Sequence, residues 1–246
     1  MAFKGVIFDL GNTLLHFDGD LLEALKLADE SMVECLLTDG IELDQNRFAQ
    51  DFRDRLNTYY IEREHEFVEL TTAYILRNVL ADFGYPSVPD DLVAQALECL
   101  YQESQAYWLP EKDTCSTLLV LKDQGYRLGV ISNASDDADV QNLIDKAEIR
   151  SFLDFVLSSA ACGIRKPDPK IFQLALEHWE FLPQEVVMVG DTLGADVLGG
   201  QNAGLFTVWI TRRADTPGNR ADLVTIQPDA TIETLAELPA LLETLI

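Results

Sequence analysis

The stretch VIFDLGNTL at residues 6–14 indicates how the rest of the chain folds. Its apolar beginning is typical of a buried strand in a parallel sheet, and the polar residues that follow indicate a turn. The reactive crevice of an open α/β sheet lies beyond the carboxyl ends of its strands, so Asp9 is expected at that edge. Gly11 and Asn12 allow the backbone to fold back on a ligand. On this stretch alone, Asp9 is as typical of a helix N-cap or turn residue as of a residue in a functional site.

Composition and charge restrict the class of protein. The chain has 246 residues, of which 48% are hydrophobic, which fits one large domain or a domain with a sizeable insertion. The net charge of −24 argues against a nucleic-acid partner and against an anionic membrane surface. A small phosphorylated partner remains compatible, because the local field at a site matters more than the total charge.

Cysteine usage and targeting signals predict the compartment. No apolar run is long enough for a membrane span, and the first residues do not resemble a secretion signal. The four cysteines lie far apart without metal-ligand spacing, which predicts reduced and mostly buried thiols. We therefore expect a cytoplasmic protein.

Residues 16–109 have apolar side chains at helical spacing and no strand pattern. Helices are predicted over about residues 20–40, 44–64, 67–83 and 90–108. This stretch is predicted to be an all-helical domain inserted after the first strand, and residues 1–15 and 110–246 together are predicted to form the core domain. The linkers between the two are expected near residues 14–19 and 109–112.

Beyond residue 110, strand and helix patterns alternate. Strands are predicted near residues 127–131, 154–157, 186–189 and 206–210. Helices are predicted near residues 112–124, 136–147, 169–179, 194–202 and 231–245. Such alternation predicts an α/β fold with a Rossmann-like parallel sheet that is covered on both faces.

Reactive side chains follow several of these strands. They comprise a carboxylate, a hydroxyl–amide pair, a cation and two further carboxylates, at Asp9, Ser132, Asn133, Lys166, Asp191 and Asp196. A parallel sheet would bring them to a common edge. Taken singly, the polar residues are also typical of helix N-caps and turns, and the lysine of a solvated surface. Their joint occurrence at strand ends favours a functional site.

These motifs resemble those of the haloacid dehalogenase-like hydrolase superfamily. The sequence RKPDPKIF at residues 165–172 is especially typical, and the helical insertion is similar to the mobile cap of the first subclass. The resemblance implies that Asp9 attacks phosphorus and forms an aspartyl phosphate, which water then hydrolyses. It also implies a Mg²⁺ ion held by the carboxylates of Asp9 and Asp191 and the carbonyl of Gly11.

The resemblance further implies that Ser132, Asn133 and Lys166 hold the phosphate oxygens and that Asp196 orients its neighbours. The chemistry is consistent, because a carboxylate that attacks a phosphate dianion meets like-charge repulsion. A shared divalent cation and a lysine offset that repulsion. Mg²⁺ prefers octahedral oxygen ligands, which two aspartates, a carbonyl and waters provide.

The sequence departs from the family at Gly11. Phosphatases of this superfamily usually carry an aspartate there, which serves as general acid for the leaving alcohol. Such an acid typically contributes about 10²–10⁴ in rate. One hypothesis is therefore a Mg²⁺-dependent phosphatase restricted to good leaving groups, or one with a substitute acid. His16 is interpreted as a linker histidine, and it is the first candidate only if another residue proves to donate the proton.

Three alternatives remain, of which the first belongs to a different class of function. A catalytically weak protein could keep the fold and bind a phosphorylated ligand or a partner. A 2-haloacid dehalogenase needs no proton for its leaving halide, but dehalogenases work without metal and usually carry asparagine at the position of Asp191. A phosphonate hydrolase also lacks the second aspartate but needs a lysine from the cap, where Lys26 is the only one.

Overall fold

The computed structural model describes residues 3–245, apart from the side chains of residues 64–66. The strands are β1 (Gly5–Phe8), β2 (Leu15–Phe17), β3 (Trp108–Pro110), β4 (Arg127–Ser132), β5 (Phe155–Ser158), β6 (Val186–Gly190), β7 (Phe206–Ile210) and β8 (Ala230–Ile232). The helices are α1 (Leu21–Thr38), α2 (Gln45–Glu66), α3 (Thr72–Asp82), α4 (Asp90–Gln105), α5 (Thr114–Asp123), α6 (Asp137–Lys146), α7 (Ser159–Cys162), α8 (Pro169–Trp179), α9 (Leu198–Asn202), α10 (Pro217–Asp222) and α11 (Leu238–Thr244).

Six strands form one parallel sheet in the order β5-β4-β1-β6-β7-β8. Along β1, Val6 and Phe8 pack into the apolar cluster on one face of the sheet, and Ile7 packs into the cluster on the other. Successive strand residues point to opposite faces, so burial on both faces explains the unbroken apolar run. Phe8 pairs with Val130 of β4 and with Val189 of β6, so these three strands end at the same edge. The predicted α/β fold is confirmed.

The helices α1–α4, here called the helical unit, enclose a hydrophobic cluster of their own, which includes Met32, Phe48, Phe52 and Leu76. The amphipathic spacing of the sequence produces this cluster, because each helix presents its apolar stripe to the others. The N-caps Asp20, Asp44 and Thr71 accept hydrogen bonds from the first turns of α1, α2 and α3. The third helix begins at Thr72 instead of near residue 67, because the residues before it form backbone hydrogen bonds to the core.

Two predictions of secondary structure were wrong, namely that residues 16–109 contain no strand and that residues 231–245 form one helix. The linkers are strands: β2 pairs antiparallel with β3, and Asp18 N donates to Tyr107 O at 2.8 Å. Residues 230–232 form the edge strand β8, and the last helix begins only at Leu238, after a 3₁₀ turn. Both misses have one cause, since strands of three residues are too short for an alternating pattern to be visible.

Two further features concern the apolar character of the helices and the exposure of the cysteines. Within residues 3–245, no helix has the length and apolar character needed to cross a bilayer. The four cysteines are free thiols, but Cys115 is exposed and the other three are only half-buried. The prediction of mostly buried cysteines was therefore wrong.

Candidate active site

Lys166 lies at the centre of the edge where β1, β4 and β6 end. Its ammonium Nζ donates to Asp9 Oδ1 at 2.6 Å, to Asp196 Oδ1 at 2.7 Å and to the carbonyl of Ile131 at 2.8 Å. These bonds use all three of its donors. Burial favours the neutral amine, but the charges of Asp196 and Asp9 outweigh it and raise the pKa of Lys166. The side chain is therefore a fixed positive charge.

The carboxylates of Asp9, Asp191 and Asp196 offer oxygens that all lie within 4.8 Å of one another. Burial, followed by the charges of Asp9 and Asp196, raises the pKa of Asp191 to about 8. Burial also raises the pKa of Asp196 to about 6, although Lys166 opposes this shift. Such pKa values are characteristic of buried carboxylates that repel one another.

The charges of these four side chains indicate whether the site fits a metal ion. Among the described side chains, the Asp191 carboxylate accepts only one hydrogen bond, from Thr192 Oγ1 at 3.3 Å. Three buried carboxylates around one lysine leave an excess of negative charge. A hard divalent cation would neutralise that excess with the oxygen ligands it prefers, so the residues fit a metal such as Mg²⁺.

Asp196 is held by the turn that follows β6. Its Oδ2 accepts from Thr192 N at 3.0 Å, and its own amide N donates to Thr192 O at 2.8 Å. A Cβ on Gly190 would lie 2.2 Å from Asp196 Oδ2, so only glycine leaves room for this carboxylate. The glycine at the end of β6 is therefore required by the site.

The backbone of Asp191 is fixed by residues that the sequence analysis missed. Its carbonyl accepts from Asn219 Nδ2 and from Trp209 Nε1, both at 2.8 Å. Asn219 is 2% exposed, and its Oδ1 accepts from Leu193 N at 2.8 Å. Asn219 lies in the most loop-like stretch of the sequence, where no periodic pattern marks it as buried.

Ser132 and Asn133 follow β4 at the same edge. The Asn133 side chain binds the backbone of Lys166 in both directions: Nδ2 donates to Lys166 O at 2.9 Å, and Oδ1 accepts from Lys166 N at 2.8 Å. This amide therefore joins the loop after β4 to the loop that carries Lys166. Its polar atoms serve this link instead of pointing freely to a ligand.

A cavity of about 770 Å³ opens over these groups. Every residue predicted for the site lines it, namely Asp9, Gly11, Ser132, Asn133, Lys166, Asp191 and Asp196. The helical unit contributes Arg63, and Phe67 and Trp108 from the connecting segments complete that wall. Asn12 has the left-handed φ of 58° that the turn after Asp9 needs.

His16 lies outside the set of cavity-lining residues. Its Nδ1 is 3.4 Å from Glu111 Oε1, within a charged group that also includes Arg212 and Arg213. This position agrees with the interpretation of His16 as a linker histidine and does not favour it as a substitute acid.

Comparisons with known proteins agree with this geometry. Residues 3–204 match the family model described as haloacid dehalogenase-like hydrolase. The chain is 28% identical, over 98% of its length and 92% of the relative's, to a glyceraldehyde 3-phosphate phosphatase of Pyrococcus furiosus. It is 30% identical to the enzyme of the same name from Methanothermobacter thermautotrophicus, over 84% of this chain and 85% of the relative.

The fold is similar to a solved 2-haloacid dehalogenase from Pseudomonas syringae pv. Tomato DC3000. The TM-score is 0.70 at 24% identity, and the similarity covers 99% of this chain and 100% of that chain. At this level of identity the likeness establishes the architecture alone.

Proposed function

Since the chain belongs to the haloacid dehalogenase-like hydrolase family, we propose that it is a Mg²⁺-dependent phosphatase of a small phosphorylated metabolite. The observation that carries the proposal is the cluster of Asp9, Asp191 and Asp196 around the buried Lys166. Relatives that cover most of the chain are named as phosphatases, which supports phosphate as the group transferred. The partner is then a small phosphate ester.

The metal site is proposed at the carboxylates of Asp9 and Asp191 and the carbonyl of Gly11. When bound there, Mg²⁺ would neutralise the charge of the carboxylates and of the phosphate. Without a cation the buried carboxylates repel one another, which agrees with the raised pKa of Asp191.

Asp9 is the proposed nucleophile. Lys166 binds its Oδ1, whereas Oδ2 accepts no hydrogen bond from the described side chains. Attack by this carboxylate on phosphorus forms the O–P bond of an aspartyl phosphate while the bond from phosphorus to the leaving oxygen breaks. Water then attacks the phosphorus, which releases inorganic phosphate and restores Asp9.

The phosphate oxygens are proposed to bind the Ser132 hydroxyl, the backbone N–H of Asn133 and Lys166, which would exchange its bond to Asp9 Oδ1 for one to a phosphate oxygen. The Asn133 side chain would act indirectly, because it is bonded to Lys166. Asp196 would keep Lys166 in place through its 2.7 Å bond to Nζ. With Gly11 at the acid position, the leaving oxygen departs without a donated proton, which favours substrates with acidic leaving groups.

We also propose that residues 16–109 act as a mobile cap on a core formed by residues 1–15 and 110–246. The separate apolar cluster of the helical unit supports this division, as does the cavity wall contributed by both parts. Closure over the cavity would exclude bulk water from the site until the substrate is bound.

The experiment that tests this function compares phosphate and halide release by the purified protein. We expect release of inorganic phosphate from an aryl or acyl phosphate with Mg²⁺ and none with a chelator. Halide release from 2-haloacids that is insensitive to chelator would instead favour the dehalogenase. Absence of both activities, with retained binding of inorganic phosphate, would favour a binding protein.

A further inference from the structure

The segment that follows α2 and includes the first residue of α3, residues 67–72, lies against the core beside the proposed phosphate-binding residues. It forms backbone hydrogen bonds with both neighbouring loops. Glu69 N donates to Gly163 O at 3.2 Å, Arg165 N donates to Phe67 O at 3.0 Å, and Thr72 N donates to Ser135 O at 2.8 Å. The segment therefore contacts the loop that carries Lys166 and the loop that follows Asn133.

Glu69 is the buried charge of this segment, with a side chain that is 0% exposed. Its Oε2 accepts from the Arg165 guanidinium and from Ser159 Oγ, the latter at 2.6 Å. Its Oε1 accepts from Tyr59 OH at 2.6 Å. A buried carboxylate is tolerated only with such partners, and loss of the carboxylate would leave Arg165 unpaired.

The contacts of Glu69 continue to both loops. Arg165 directly precedes Lys166 in the chain. Ser159 Oγ accepts from Ala134 N at 2.9 Å, directly after Asn133. Because the Asn133 side chain also bonds to the Lys166 backbone, the two loops form one connected group with Glu69 at its far side.

We infer that Glu69 is a positioning residue that orders the Ser132–Ala134 and Arg165–Lys166 loops for phosphate binding. The inference rests on the proposed function. Glu69 belongs to the insertion and not to the core, so the phosphate-binding geometry is complete only while this segment is docked. A purely structural role would change the stability of the protein but not its affinity for phosphate.

The test compares Glu69→Gln with Asp29→Asn in the full-length protein. Asp29 is a suitable control because it is another buried carboxylate, paired with Arg53 inside the helical unit and remote from both loops. Phosphate affinity is measured as inhibition of p-nitrophenyl phosphate hydrolysis by inorganic phosphate. We expect Glu69→Gln to weaken inhibition roughly tenfold, the order expected for losing a charged hydrogen bond, with Asp29→Asn unchanged.

Amide hydrogen exchange provides a measurement that does not need activity. The amides of Ala134, Arg165 and Lys166 should exchange faster in Glu69→Gln than in Asp29→Asn at matched stability. Unchanged exchange would overturn the inference, even for a destabilised variant. Wild-type protein that neither hydrolyses esters nor binds inorganic phosphate would overturn the proposed function, while exchange still decides whether Glu69 orders the loops.

Ser159→Ala is a milder change. It separates the contact of Glu69 with the loop after Asn133 from its contact with the loop that carries Lys166. It removes only the hydroxyl between Glu69 and Ala134. We expect faster exchange at Ala134 with little change at Arg165, and a smaller loss of phosphate affinity than in Glu69→Gln. Equal effects at both loops would contradict the separate contacts proposed for Glu69.

Discussion

The indole ring of Trp108 lies beside Gly11, such that a Cβ on Gly11 would be 3.4 Å from Cη2 of Trp108. This is an ordinary van der Waals contact, so position 11 has room for a Cβ, and the Trp108 ring lies next to any side chain placed there. Position 11 therefore lacks an acid because its residue is glycine, and not because a Cβ would clash there.

The Gly11→Asp variant should therefore gain a general acid. Wild-type activity should fall steeply as the pKa of the leaving group rises, because the departing oxygen carries its charge unaided. The variant should show a shallower slope and a gain on alkyl esters of up to about a hundredfold. Initial rates on a series of aryl and alkyl phosphates measure both slopes, with Gly11→Ala as control for the added Cβ. A shallow wild-type slope would mean that another residue donates the proton.

Asp9→Asn should abolish turnover while leaving the fold intact. The amide keeps the shape of the carboxylate but lacks its nucleophilic charge, so we expect a loss of at least about a thousandfold. Phosphate release measures the loss, and circular dichroism checks the fold. A variant that keeps most of its activity would contradict the covalent mechanism.

Asp191→Asn should weaken Mg²⁺ binding and activity together. The substitution removes a ligand charge where carboxylates are in excess, so the apo protein should become more stable while the metal binds less tightly. Calorimetric titration with Mg²⁺ and thermal unfolding without metal measure these opposite effects. Equal Mg²⁺ affinity in wild type and variant would place the metal elsewhere.

Gly190→Ala should displace Asp196 from its position in the site. The new Cβ would overlap the Asp196 carboxylate, which must move and release its bond to Lys166. Overpacking of this kind costs about 1–3 kcal/mol of the free energy of unfolding. Gly218→Ala is the matched control, since nothing lies within 4 Å of its Cβ position. Chemical denaturation of both variants gives the comparison, and equal stabilities would contradict the close approach.

Asp139→Asn should stabilise the protein at neutral pH. Burial raises the pKa of Asp139 to about 6, so the folded state holds the proton more tightly than the unfolded state does. The free energy of unfolding then falls as pH rises from about 4 to 6, and the ionised carboxylate destabilises the fold above that range. Asparagine avoids this charge and can still accept from Gln105 Nε2, which Asp139 binds at 2.8 Å.

We expect the Asp139→Asn variant to gain about 1–2 kcal/mol at pH 7, with no gain below pH 4. This gain is smaller than the free energy that corresponds to the full pKa shift, because Asp139 is partly exposed and lies in the first turn of α6. Urea denaturation across this pH range measures the effect. Asp145→Asn is the control of opposite sign, because Arg150 lowers the pKa of that carboxyl. A gain for Asp139→Asn that persists at low pH would contradict the assigned cause.

The sequence predicts what is encoded by periodic or local patterns. The parallel sheet and the positions of Asp9 and Asp191 follow from apolar runs with polar ends, and the four helices of the insertion follow from apolar residues at helical spacing. Lys166 lies well beyond the end of β5 at Ser158, and its role is inferred from the family resemblance of residues 165–172. Asn219 and Glu69 could not be found this way, because each bonds to groups distant in the chain. Asn219 lies in a stretch without periodicity, and Glu69 lies in a stretch that was wrongly predicted to belong to the third helix. The pairing of β2 with β3 was missed for a similar reason, since each short strand can be recognised only from its hydrogen bonds to the other.

The antiparallel pair of β2 and β3 forms a two-stranded ribbon that joins the insertion to the core at one place. Leu15 faces Pro110 and Phe17 faces Trp108, so the chain leaves the core and returns to it at a single point. The entropy of closing a loop grows only slowly with its length, so the core tolerates a long excursion between ends that are already paired. The same geometry permits excision: a two-residue turn that joins Phe17 directly to Trp108 would convert the ribbon into a hairpin. The paired linkers thus mark the position where an ancestral core could gain, exchange or lose its cover without rebuilding the sheet.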